Sequence, residues 1–367
     1  MTAAKFRSPG YGRFFEEFAV GSVFEHPWDV TVDGGMIALA QASFLDATPT
    51  YASASYARAL GLRDRPVHPL VLLNLGLSFS VHDVSERAVA HLAYIDARFP
   101  SACYAGDTVR ACSTVLGVKR AAEGARGVVH VRTVVRNQSD DVVCHFERKV
   151  LVKGGEPIAD RPAPPPSVSP CADESARRWP AVFDADIDAA RLRTGFGGFF
   201  EDFEPGQVIV HEVGRTVSEA EHMQLTCLFR NTHPLHFEEP YARGGFAKTR
   251  VVYGGLVFGW IAALASRDTT GNVLWDLGFD RGAHPAGVLA GDTLYAASKV
   301  LAAEKVGAHV GRVTFKLVGT KNTRADVLLG QGADLFADEL SKPAEAKVKE
   351  KVFEIERTVL MRGRTRA

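Results

Sequence analysis

One long internal repeat constrains the fold of this chain more than any other feature of its 367 residues. GYGRFFEEFAVGSVFEH begins at Gly10 and GFGGFFEDFEPGQVIVH at Gly195, a constant offset of 185. Between positions 10–110 and 195–295, 25 residues are identical without a gap, several times what chance gives. Phe14 pairs with Phe199, His26 with His211, Pro49 with Pro234, and Ala105-Gly-Asp-Thr108 with Ala290-Gly-Asp-Thr293. Self-similarity at fixed spacing marks a duplicated structural unit. Later the offset grows to 209, because HFERKVLV (145–152) matches EIERTVLM (354–361). The second copy therefore carries a net insertion within 325–350, for which a surface helix and a charged loop are expected. Between the copies, a triple proline among Ser and Ala favours an extended linker. The expected organisation is an N-terminal repeat at 10–153, a Pro-rich linker at 154–194 and a C-terminal repeat at 195–363.

Each copy reads alike in secondary structure. A strand over Val208–Val217 leads into Ser218-Glu-Ala-Glu221, a capping box that opens a helix with Met223, Cys227 and Leu228 on one face. The run from Gly254 to Ala265 is apolar on every side, so its helix must be buried. TLYAASKVL, HVGRVTFKLVG and VFEIERTVLM then alternate as strands. The pattern predicts an α+β fold, an antiparallel sheet wrapped around one central buried helix in each repeat. Two copies in one chain can pair their open edges into one continuous sheet.

Lys+Arg and Asp+Glu each number 43, and a zero balance exerts no long-range pull on nucleic acid. The longest apolar stretch, Gly254 to Ser266, falls short of the ~20 residues that span a bilayer. The first residues, MTAAKFRSPGYGRFFEEF, hold no apolar core of a secretory signal. Five scattered cysteines without a C-x-x-C pair argue against a disulfide framework and a structural zinc site. The expectation is a cytoplasmic protein with neither nucleic acid nor membrane as partner.

The chemistry concentrates in Phe229-Arg-Asn-Thr-His-Pro-Leu-His-Phe-Glu-Glu-Pro-Tyr-Ala242. Here the sequence resembles the MaoC-like R-specific enoyl-CoA hydratases, which carry Gly-Asp-x-Asn-Pro-[Leu/Ile]-His. Pro234, Leu235, His236 and Ala242 match that pattern. Asn231 stands in place of the family's Asp, His233 in place of its Asn, and Arg230 in place of its Gly. Where the family has His-Gly at the start of the central helix, this chain has Tyr253-Gly254. The run from His222 to Trp260 resembles, more narrowly, the mesaconyl-CoA hydratases within that group. The resemblance implies a double hotdog fold. It also implies reversible hydration of a branched, unsaturated dicarboxylyl-CoA, with acyl-CoA as the partner and no metal or redox cofactor. Oligomeric state, a homo-oligomer included, stays open.

The residues suit that chemistry on their own terms. Histidine titrates near neutrality and can move protons, so His236 is the expected proton carrier. The Asn231 amide can orient water but cannot take its proton. His233 is either a second participant or a structural residue. Gly254 and Gly255, at the start of a buried helix, offer backbone N–H groups for an oxyanion hole, or simply pack closely. Arg230, Arg250 and Lys248 are candidate partners for the substrate carboxylate and CoA phosphates, with Arg230 first and surface solvation as the plain reading. Tyr253 is counted with them as substrate-binding. His233-Pro-Leu-His236 has H-x-x-H spacing, but proline disturbs the helix a metal pair needs, so no metal is expected. Copy one carries Asp46, Thr48 and Tyr51 at the positions of Asn231, His233 and His236, which predicts one working site per chain. Another enoyl-CoA hydratase, or a hotdog thioester hydrolase, remains the alternative.

Overall fold

A computed structural model describes residues 11–122, 125–156, 179–184, 192 and 197–364. Most of the expected linker lies outside these residues. Before the linker come strands β1 (Val23–Thr31), β2 (Ala88–Arg98), β3 (Thr108–Arg120), β4 (Arg126–Arg136) and β5 (Val142–Lys153). Between β1 and β2 run helices α1 (Gly34–Phe44), α2 (Pro49–Ala52), α3 (Ala54–Ala59) and α4 (Pro69–Phe79). After the linker the plan repeats. It runs through β6 (Val208–Val210), β7 (Arg215–Thr216), α5 (Glu219–Leu228), α6 (Glu239–Arg243) and α7 (Gly254–Thr269). It ends with β8 (Val273–Ala283), β9 (Thr293–Lys305), β10 (Val310–Lys321), α8 (Ala325–Gly330) and β11 (Lys351–Arg362).

All strands join one 11-stranded antiparallel sheet in the order β1-β3-β4-β5-β2-β8-β11-β10-β9-β6, with β7 also on β9. The repeats meet at β2 and β8, where Tyr94 pairs with Gly282 and Ala97 with Phe279. Strands that would be open edges in a single repeat thus satisfy each other's backbone groups, as the duplication predicted. Register is duplicated too: His91 lies opposite Val150 and Tyr94 opposite Arg148, as Asp276 lies opposite Val359 and Phe279 opposite Arg357.

The central helices are α4, with all eleven residues buried, and α7. They cross closely. A Cβ on Gly255 would stand 2.0 Å from Asn74 Oδ1, and Asn74 Nδ2 donates to the Gly255 carbonyl at 3.3 Å. The Ala-Gly-Asp-Thr turns are superposable devices. Gly106 and Gly291 take φ of +92° and +90°, a region that favours glycine, and Asp107 and Asp292 cap the turns from within.

Four expectations are corrected. Ser218 does precede α5, but its side chain makes no cap bond, and Glu221 pairs with Arg215 instead. Cys227 is exposed, because α5 turns His222, Leu225 and Thr226 inward against α1 and α7. The insertion is less solvated than its charges suggested. Leu328 and Leu335 pack on Ala297 and Val318, and Glu339 is buried with Lys351 and Glu354 in a chain of ion pairs. Cys103, Cys144 and Cys227 are free thiols, whereas Cys112 is disulfide-bonded, so scattered cysteines did not exclude a cross-link. No helix among the described residues is long and apolar enough to cross a membrane.

Candidate active site

A largely apolar cavity of about 580 Å³ opens where the repeats meet. The second copy lines it with Asn231, His233, His236, Tyr253, Gly254 and His284, and the first with Leu77, Val81, Ser85, His91, Arg148 and Val150. Pro234 starts a short 3-10 turn over Pro234–His236, where a fixed φ is an advantage. His233 caps that turn, its Nδ1 accepting from Leu235 N–H at 3.2 Å, and its ring also bonds the backbone of Ala88. Asn231 Oδ1 accepts from His233 N–H at 3.0 Å. The turn thus delivers His236 to the cavity wall.

His236 Nδ1 lies 2.9 Å from the Val251 carbonyl. A carbonyl only accepts, so Nδ1 carries the proton and Nε2 keeps its lone pair. Burial pushes the His236 imidazole down to about 3 and the His233 ring down to about 4. Both are neutral in the resting protein. Gly254 is the first residue of α7, where an N–H has no partner within the helix and the dipole favours negative charge.

The other sequence candidates sit elsewhere. Gly255 is packed against Asn74 and does not line the cavity. Arg230 follows α5 with φ +57°, a left-handed turn that swings its side chain out over the Trp28 ring at 5.5 Å. Lys248 is exposed, and Arg250 is engaged by Glu219 and Glu239. None of the three reaches the cavity lining. Arg230→Gln is therefore expected to leave kcat/KM within about threefold on any acyl-CoA, the ordinary outcome for a solvated surface charge. Steady-state kinetics decide this, and a selective loss on dicarboxylyl substrates would return Arg230 to the site.

The corresponding place in copy one is closed. Tyr51, Asp46 and His68 line a cavity of about 10 Å³, about enough for one water. Tyr51 fills the position of His236, accepting from Asp276 N–H at 3.1 Å, while Asp46 faces His68 at 3.6 Å. Asp46 does not reach the large cavity.

Three residues that motif reading missed line the cavity. His91, His284 and Arg148 lie on or beside strands, far along the chain from Asn231–His236. Arg148 was nonetheless within the quoted HFERKVLV, aligned with Arg357. Two Asp-His-Ser arrays, His26 with Asp83 and Ser113 and His211 with Asp268 and Ser298, have a hydrolase-like order. Ser113 and Ser298 are buried on strands away from the cavity, so these arrays clamp the sheet and offer no nucleophile. Among the described residues no three His, Cys, Asp or Glu converge as metal ligands.

Burial holds His91, His233, His236 and His284 all below the ordinary imidazole range. Unfolded, they titrate near about 6.5 and take up protons that the folded state refuses. Stability should therefore fall as pH drops from about 6.5 toward 4. Urea midpoints at about pH 5 and about pH 7.5 test this. A higher midpoint at the acid pH would mean that these rings are charged in the folded protein.

A double hotdog with a largely apolar cavity at its repeat seam, into which a Pro-Leu-His turn and a helix N-terminus bring a few polar groups, defines a MaoC-like hydro-lyase scaffold. Residues 4–337 match the family model for mesaconyl-CoA hydratase. The chain belongs to the mesaconyl-CoA hydratase family. It is 36% identical over 318 residues to the mesaconyl-CoA hydratase of Cereibacter sphaeroides, covering 85% of this chain and 90% of that one. It is 33% identical to the β-methylmalyl-CoA dehydratase of Chloroflexus aurantiacus, covering 85% and 89%. The crystal structure of a MaoC domain dehydratase from Chloroflexus aurantiacus superposes with a TM-score of 0.82 at 30% identity, covering 98% of this chain and all of that one. A double-hotdog protein of Mycobacterium tuberculosis, 22% identical with a TM-score of 0.71, shares the fold over 95% of this chain and 98% of its own.

Proposed function

We propose that this chain hydrates mesaconyl-CoA reversibly to β-methylmalyl-CoA in the seam cavity, with His236 carrying the protons. The observation that supports this most is the His236 tautomer, fixed by the Val251 carbonyl so that a free Nε2 remains on the cavity wall. Nε2 takes a proton from water as the water oxygen bonds the β carbon. The π electrons move onto the thioester as an enolate, and the Gly254 N–H at the head of α7 stabilises its oxygen. The resulting imidazolium then returns a proton to the α carbon, so that H and OH have been added across the double bond. The dehydration direction runs the same steps backward.

Asn231 contributes an amide that orients the water. Both ring nitrogens of His233 are engaged with backbone, which favours a positioning role over proton transfer.

The test follows loss of the enoyl-thioester absorbance with mesaconyl-CoA and crotonyl-CoA, alongside thiol release detected by DTNB. Hydration of mesaconyl-CoA without thiol release is expected. Turnover of crotonyl-CoA alone would make it a simple enoyl-CoA hydratase, and thiol release would make it a hydrolase.

A further inference from the structure

The two repeats place one arginine at the same point of the sheet and treat it in opposite ways. In copy two, Arg357 of β11 is buried and grips Asp276 of β8 through two hydrogen bonds, Nε to Oδ1 at 2.7 Å and an Nη to Oδ2 at 3.1 Å. That pair lies beside Tyr51, the residue at the closed site that corresponds to His236. In copy one, Arg148 of β5 stands at the matching register and is equally buried. The residue matching Asp276 is His91, so the internal carboxylate is missing. Arg148 donates to Ser80 Oγ at 2.8 Å and Ser85 Oγ at 3.2 Å, and its Nε has no partner. Among the described residues no carboxylate pairs with it. It faces the cavity that holds His236.

We propose that Arg148 binds the free carboxylate of the substrate, and that His91, by replacing an aspartate, keeps this guanidinium available. The proposal rests on the mesaconyl-CoA reading and adds the residue that sets its selectivity for a dicarboxylyl chain. The closed site displays the geometry in miniature, because Asp276 occupies toward Arg357 and Tyr51 the place that a substrate carboxylate takes toward Arg148 and His236. In 2-methylfumaryl-CoA the carboxylate is attached to the β carbon, the atom that water attacks. A carboxylate anchor close to the proton carrier is therefore what the chemistry requires. Burial of the guanidinium lowers its pKa only to about 10, so it remains a cation. His91 donates through Nε2 to the Ala93 carbonyl and is held neutral, so unlike Asp276 it does not pair its charge with the guanidinium. A buried arginine whose Nε lacks a partner is well suited to bidentate carboxylate binding.

Two variants and two unreactive ligands test this. Methylsuccinyl-CoA keeps the carboxylate, and 2-methylbutyryl-CoA replaces it with a methyl group. Arg148→Gln removes the cation. His91→Asp recreates the Asp276–Arg357 pair inside copy one, and that variant keeps a satisfied buried ion pair. In both, calorimetric affinity for methylsuccinyl-CoA should fall on the order of a hundredfold, with 2-methylbutyryl-CoA affected by less than about threefold. kcat/KM for mesaconyl-CoA should fall in parallel with methylsuccinyl-CoA affinity. If the wild-type protein hydrates mesaconyl-CoA but the folded variants lose both ligands equally, or neither, the assignment of Arg148 is overturned. If the wild-type protein does not hydrate mesaconyl-CoA at all, the functional reading fails instead.

Discussion

Replacement of His236 by alanine should lower kcat for mesaconyl-CoA by at least about a hundredfold, the usual contribution of a positioned proton carrier. The expected size follows from the absence of a substitute. His233 has both ring nitrogens tied to backbone, and the Asn231 amide cannot accept a proton at neutral pH. His91 and His284 also line the cavity, but His91 Nε2 is committed to Ala93, and His284 Nε2 meets the Tyr94 hydroxyl at 3.2 Å. Steady-state kinetics on protein with an unchanged circular dichroism spectrum would measure the loss. KM should change little, since His236 acts on water and the α carbon and not on the CoA moiety. Near-normal turnover in folded His236→Ala protein would remove His236 from the mechanism. A comparable loss in His233→Ala with retained folding would mean that the two share the proton.

The second large effect belongs to stability. Asp276→Ala should cost about 3–5 kcal/mol, because it leaves the buried Arg357 guanidinium without its carboxylate. Asp276 is fully buried, Arg357 nearly so, and among the described residues the other carboxylate that acts on that guanidinium is Asp46. Strand β8 also forms the seam with β2, so the damage falls where the repeats join. Urea denaturation reads the effect as a lower midpoint at unchanged slope. Adding Arg357→Met should restore most of the loss, since an apolar pair of similar volume removes the uncompensated charge. A single-variant cost below about 1 kcal/mol would show that the pair is solvated, and with it would go the contrast between Arg357 and Arg148.

Much of the architecture was legible in the residues. The offset of 185 reappears in the fold as duplicated turns, duplicated His-Asp-Ser clamps and duplicated register. The all-apolar run after Gly254 became the buried helix α7, because no face of it could be left to water. Details governed by neighbours were less legible. Ser218 had the spacing of a capping box, but Arg215 engaged Glu221. Cys227 had an apolar side to sit on in sequence, but α5 rotated it to solvent.

The candidate site divides in the same manner. His236, Asn231, His233, Tyr253 and Gly254 could be found because one local turn and one helix start carry them, and local geometry is encoded by adjacent residues such as Pro234 and Gly254. Arg230 was favoured as a cation because it adjoins Asn231, yet the left-handed backbone at that residue sends it to Trp28 and away from the cavity. Adjacency in sequence does not fix direction. By itself, the sequence determined the duplication, the α+β double hotdog and the asymmetry between a Tyr51 copy and a His236 copy. Only the tertiary structure decided that the cavity spans the seam, so that Arg148 and His91 of the first repeat face His236 of the second. The reason is physical: the seam is formed by pairing of β2 with β8, and the meeting of side chains across it depends on strand register, which no local pattern in either strand specifies.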